Sequence, residues 1–143
     1  MWSLKNIEIA LRSRLISRAS LLAVVPAENI RPEGTGDEAY PAVNYLLDDL
    51  PLDDAGSHEV TVHIFIDTQS QNQAREIAAE IEAELWRKPQ AASPVPFLDL
   101  SAHGYRVVDQ RKTYESGPIY TGGMPATFRN TQRYTLRVID QST

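Results

Sequence analysis

Between residues 58 and 88 the hydrophobic period of the chain changes. HEVTVHIFIDT, residues 58 to 68, alternates: Val60, Val62, Ile64 and Ile66 share one face, and Thr61, His63, Phe65 and Asp67 the other. From about residue 70 to 88 the spacing becomes helical, with Ala74, Ile77, Ala78, Ile81 and Leu85 on one stripe. A strand with one wholly aliphatic face, running through a short hinge into an amphipathic helix, leaves few folds open. The aliphatic face must be covered by helices, and the mixed face is left for solvent or a partner.

The hinge, Asp67-Thr68-Gln69-Ser70-Gln71, lies where many proteins hold phosphates. It has no glycine to let the backbone approach an anion, and Asp67 repels one. Thr68 or Ser70 is expected to cap the helix instead, and Pro89 to end it.

The flanks extend the same architecture. Leu4, Ile7, Leu11, Leu15 and Leu22 predict a first helix over about 4–18, with Ser3 as N-cap, Arg12, Arg14 and Arg18 at the stripe's edge and Pro26 as a stop. ENIRP (28–32) is a candidate short strand, EGTGDEAYP an exposed loop, and AVNYLLDD (42–49) a strand. GYRVVDQRKTYE (104–115) has strand character, SGPIYTGGMPATFRN (116–130) reads as a long loop, and TQRYTLRVID (131–140) as a closing strand. In that last strand Tyr134, Leu136 and Val138 oppose Arg133, Thr135 and Arg137. The expectation is one α+β domain over residues 1–143. It has an antiparallel or mixed β-sheet, two α-helices packed on one face, and a long loop-rich insertion at about 89–130.

The residues exclude most chemistry. There is no cysteine, hence no disulfide, thiolate zinc site or cysteine nucleophile. His58 and His63 fall on opposite faces of one strand, and His63 and Asp67 are roughly 13 Å apart along it. No G-x-S-x-G elbow accompanies Ser57 or Ser101, and neither Gly34-Thr35-Gly36 nor Thr121-Gly122-Gly123 belongs to a phosphate-binding motif. Asp48, Asp49, Asp53 and Asp54 lack the calcium-loop pattern. Glu76, Glu80, Glu82 and Glu84 are expected to line a solvated helix face, with Glu84 and Lys88 in the favourable order for an i,i+4 pair. The chain is therefore expected not to be an enzyme, with no catalytic, cofactor-binding or metal residues.

A formal charge of −5 and a pI near 5.1 argue against duplex DNA binding. No apolar run reaches the roughly 18 residues of a membrane span, and no secretory signal is expected at the N-terminus.

What remains are surface features suited to assembly. Arg129, Arg133 and Arg137 recur every four residues, so one strand face presents all three, for solvent or for acidic loops of a neighbouring subunit. Glu33, Asp37 and Glu38 supply such an acidic loop. Tyr114, Tyr120, Met124 and Phe128 are of the types enriched in interface cores.

Taken together, IEIALRSRLI with its following loop, ENIRP, YPAVNYLLDD, HEVTVHIFIDTQSQNQAREIAAEIEAEL and the closing RYTLRV resemble the tail-completion or tail-terminator proteins of tailed bacteriophages and gene-transfer particles. The departure is the stretch from 89 to 130. The resemblance implies a non-enzymatic, cofactor-free α+β subunit of a virion that forms a ring, usually of six. Such a ring sits at the head-proximal end of the tail tube, stops tube growth and joins the tail to a neck or head-completion protein. It implies assembly in the host cytoplasm and passage of DNA through the ring without sequence-specific binding. Another neck component, a head-closure or connector protein, is the alternative. A small α+β ligand-binding domain or enzyme ranks below both.

Overall fold

The computed structural model of the chain describes residues 2–35, 39–52, 56–88 and 91–141. Helix α1 (Leu4–Ile16) and a single turn α2 (Ala19–Leu22) lead through a 3-10 turn at 27–29 into strand β1 (Ile30–Pro32). Then follow β2 (Ala42–Pro51), β3 (Ser57–Thr68), α3 (Gln71–Leu85), a 3-10 turn at 101–103, β4 (Tyr105–Gly122) and β5 (Thr127–Asp140). The five strands form one mixed sheet in the order β1-β2-β3-β5-β4. The β1–β2 pair is parallel and the others are antiparallel.

The change of period explains the core. Val60, Val62, Ile64 and Ile66 are buried beneath the helices, alongside Val43, Tyr45 and Leu47 of β2 and Tyr134, Leu136 and Val138 of β5. Ile7, Leu11 and Leu15 of α1 and Ala74, Ile77, Ala78, Ile81 and Leu85 of α3 close over them. Full burial of each large aliphatic side chain contributes about 1.5–3 kcal/mol, so this layer outweighs any single polar contact. The expected α+β architecture, with both main helices on one face, is the observed one.

Local departures have local causes. The first helix stops at Ile16 rather than near 18, because Arg18 takes an extended conformation and starts α2. Ser3 occupies the N-cap position without a side-chain cap; its amide donates instead to the Tyr105 hydroxyl at 2.9 Å. Ser70, not Thr68, caps α3, its hydroxyl accepting from the Gln73 amide.

The larger correction concerns residues 116–130, read from sequence as a long loop. Most of them belong to a hairpin, with β4 running to Gly122 and β5 starting at Thr127. Glycine and proline misled the reading. Pro118 sits on an edge strand beside a break in register between Glu115 and Pro118, with Gly117 at φ +72° next to it. At a bulge on an edge, a missing amide proton and a left-handed residue cost little. The loop-rich character expected over 89–130 is confined, among the described residues, to about 91–104 and the turn at 123–126.

Candidate functional site

Because both main helices lie on one side, no helix among the described residues covers the other face of β2–β5, called here the bare face. The register places Asn44, Leu46, Asp48 and Leu50 of β2 beside Phe65, His63, Thr61 and Glu59 of β3. Arg129, Arg133 and Arg137 of β5 follow, opposite Asp67, His63 and Glu59. Arg106, Asp109, Arg111 and Tyr114 of β4 complete the row through their pairing with Ile139, Arg137, Thr135 and Arg133. Leu46 and Leu50 are exposed here at 44% and 57%, and Tyr114 at 43%.

The arginines expected to act together have different surroundings. Arg129 is engaged within its own chain. Its Nε donates to Asp67 Oδ1 at 2.7 Å and its Nη2 to Asp67 Oδ2 at 2.9 Å. Glu33 lies 3.4 Å from it, and its guanidinium stands 4.6 Å from the centre of the Phe65 ring. The hydrogen bonds to Asp67 raise its pKa, against the opposing effect of burial. Arg133 and Arg137 are exposed, and Arg133 lies 4.4 Å over the Tyr114 ring. Asp37 and Glu38 lie outside the described residues.

The aromatic and methionine candidates also divide. Tyr114 stands on the bare face with Arg133. Tyr120 pairs with Phe128, their rings 6.0 Å apart edge to face, at the hairpin end. Met124 at the turn is 99% exposed, and Tyr120 and Ile119 are exposed at 60% and 56%.

Sequence reasoning missed Leu46, Asp48 and Leu50. The two leucines belong to an apolar run that does not alternate cleanly, so only the pairing with β3 reveals which face they take. Charge on this face is split by strand. The β2 and β3 residues include Asp48, Glu59 and Asp67 and no lysine or arginine, whereas β4 and β5 contribute five arginines against Asp109.

The two histidines of β3 each meet a carboxylate. His63 Nε2 lies 2.8 Å from Asp48 on the bare face, and His58 Nδ1 lies 2.8 Å from Asp49 on the other. Asp49 also accepts from Trp2 Nε1, and the Trp2 and His58 rings stack at 3.6 Å. Neither histidine is hydrogen-bonded to a hydroxyl among the described residues, so no nucleophile–base pair forms. No group of three or more His, Asp or Glu positioned for a metal occurs among the described residues. A cavity of about 550 Å³ at the end of the bare face is lined by Arg31, Glu33, Asn44, Asp67 and Arg129 among others. Within it Arg129 is held by Asp67 and Glu33, while the second carboxylate oxygen of Glu33 is buried without a hydrogen-bond partner among the described residues.

Glu76 is exposed as expected, whereas Glu80, Glu82 and Glu84 are less solvated than expected. Glu84 accepts from Arg14 and Arg18 rather than pairing with Lys88, which approaches Glu82 at 3.8 Å. Glu80 is held by Arg18 and the Ser20 hydroxyl, and Glu82 by Lys112.

No helix among the described residues is long and apolar enough to cross a membrane. No family model matches the sequence, and no curated protein matches it. The fold does have solved counterparts. A chain from the "Virion of native gene transfer agent (GTA) particle" superposes with a TM-score of 0.67, covering 93% of this chain and 94% of that chain at 18% identity, a likeness that establishes a shared fold.

Proposed function

We propose that this chain is a structural, non-enzymatic subunit of a tailed-phage or gene-transfer particle, and that it acts as the tail terminator. The observation that carries the reading is the likeness to a virion chain over 93% of this chain and 94% of that one. The bare sheet face with exposed Leu46, Leu50, Tyr114, Arg133 and Arg137, and the exposed hairpin end with Tyr120 and Met124, support a subunit that lives in an assembly.

In this reading several copies, six in the usual arrangement, form a ring on the head-proximal end of the tail tube. They end tube growth and present a surface to the neck. Six copies carry a formal charge of −30, six times the −5 of one chain, so a lumen bearing part of that charge lets DNA slide rather than holding it at its phosphates. Candidate contact residues are Arg133, Arg137, Tyr114, Tyr120, Met124 and Phe128. Arg129 and Glu33 shape the same region through their contact with each other. Asp37 and Glu38 keep their proposed acidic-loop role.

The likeness is to a chain of a whole virion and carries no position within it, so a head-closure or connector role is the second reading. Imaging particles from a strain lacking the gene separates the two. Over-long or headless tails are the expected outcome for a terminator. Filled heads without tails place the chain in the neck instead, and normal particles overturn both readings.

A further inference from the structure

We infer that the bare sheet face is covered by a second copy of this chain, acidic half against basic half: β2–β3 of one copy meets β4–β5 of the next. The inference rests on the subunit reading above and names the contact within it.

The charge pattern carries the argument. Arg129 and Asp67 satisfy each other, which leaves Asp48 and Glu59 on one half and Arg106, Arg111, Arg133 and Arg137, with Asp109, on the other. Arg106, Arg133 and Arg137 have no carboxylate within ion-pair distance among the described residues, while Arg111 reaches Asp109 at 3.6 Å. Asp48 is held by His63 but remains 67% exposed. One face thus carries a net negative half and a net positive half, their charges one to three strand spacings of about 4.8 Å apart along the sheet.

Such a face is complementary to itself. Laid on another copy with the strand order reversed, acid meets base; laid with the same order, like charges meet and the contact is disfavoured. The exposed leucines at 46 and 50 then meet the β4–β5 half, where the Tyr114 ring and arginine stems supply apolar surface. Four strands by ten residues give a face of roughly 600 Å², near the ~800 Å² per partner of a standard interface. In that arrangement a two-fold axis runs parallel to the strands, so both halves of one copy meet the same partner and the contact closes on the pair; growth into a ring uses further contacts elsewhere on the subunit.

Two full-length variants test this. R133E/R137E makes both halves acidic; D48K/E59K makes both halves basic or neutral. All four positions are at least partly exposed, so both variants are expected to keep the wild-type circular dichroism spectrum and melting cooperativity. By mass photometry the wild type assembles and each variant alone loses assembly at least tenfold in midpoint concentration. The equimolar mixture recovers wild-type assembly, because reversed halves now answer each other. A wild-type chain that stays monomeric, a variant that assembles alone as the wild type does, or a mixture of folded variants that fails to assemble overturns the inference. Normal particles after gene deletion, with the charge swap still working in solution, overturn the terminator reading and leave this contact standing.

Discussion

Gln110 shows what a single residue does here. It is 1% exposed, and its side chain ties two elements to the sheet: Nε2 donates to the Leu85 carbonyl at the end of α3, and Oε1 accepts from the Leu98 amide, both at 2.9 Å. The connector at 91–100 has no ladder of its own; this amide bridge holds it down together with the burial of Leu98 and Leu100 and the hydrogen bonds of Arg14 to Pro96 and Arg87 to Val95. Gln110→Leu keeps the volume and orphans both backbone groups. At about 1–3 kcal/mol for each unsatisfied group, urea denaturation should show a lower midpoint with an unchanged slope. Gln132 and Tyr134 form a second buried bridge: Gln132 Nε2 donates to the Ala78 carbonyl, and its Oε1 accepts from the Tyr134 hydroxyl. Burial pushes the Tyr134 pKa far above its ordinary value, so it stays a neutral donor. Neither bridge was legible in sequence, because a glutamine in a strand says nothing about which carbonyl it will find.

At the scale of elements, the helices are clasped to one another by charge as well as packed on the sheet. Arg14 reaches Glu84 at 2.7 Å, and Arg18 reaches Glu80 at 2.8 Å and Glu84 at 3.2 Å. The Ser20 hydroxyl and then Arg18 hold the Glu80 carboxyl below its ordinary value of 4.5. A carboxyl depressed on folding stabilises the fold above its unfolded pKa, and that contribution fades as pH falls through the lower folded value. Glu80→Gln should therefore melt below the wild type at pH 7. The gap should narrow as pH falls below the ordinary carboxyl value and close once the pH lies below the lowered folded value, as followed by thermal denaturation across pH. Spacing correctly placed these arginines beside the helix stripe. It did not identify their acidic partners, which come from 62 to 70 residues away in sequence.

For the whole molecule, the decisive asymmetry is that every helix lies on one side of the sheet. The other side keeps a dipole-like division of charge, with exposed leucines on β2 and Tyr114 on β4. A contact built on exposed charge is screened as the Debye length shrinks from about 10 Å at 0.1 M salt to about 3 Å at 1 M. Assembly of the wild-type chain should accordingly weaken several-fold between those two salt concentrations, measured by sedimentation velocity. Salt-insensitive assembly would point to the hairpin end, where Met124 and Tyr120 are exposed, as the main contact instead.

The sequence by itself determined the layers. Strict alternation at Val60 to Ile66 and helical spacing at Ile7 to Leu15 and Ala74 to Leu85 each bury one face, and local periodicity is enough to say which. Only the tertiary structure decided what lies beside what. Register turned glycines and prolines at 117–125 from a presumed loop into an edge strand and hairpin, because a bulged edge tolerates what a central strand does not. Register also used Arg129 on Asp67 while leaving Arg133 and Arg137 exposed, although the three are equivalent in spacing. Periodicity is a property of neighbours along the chain, whereas charge compensation depends on neighbours across the sheet, and those are fixed only when the strands pair.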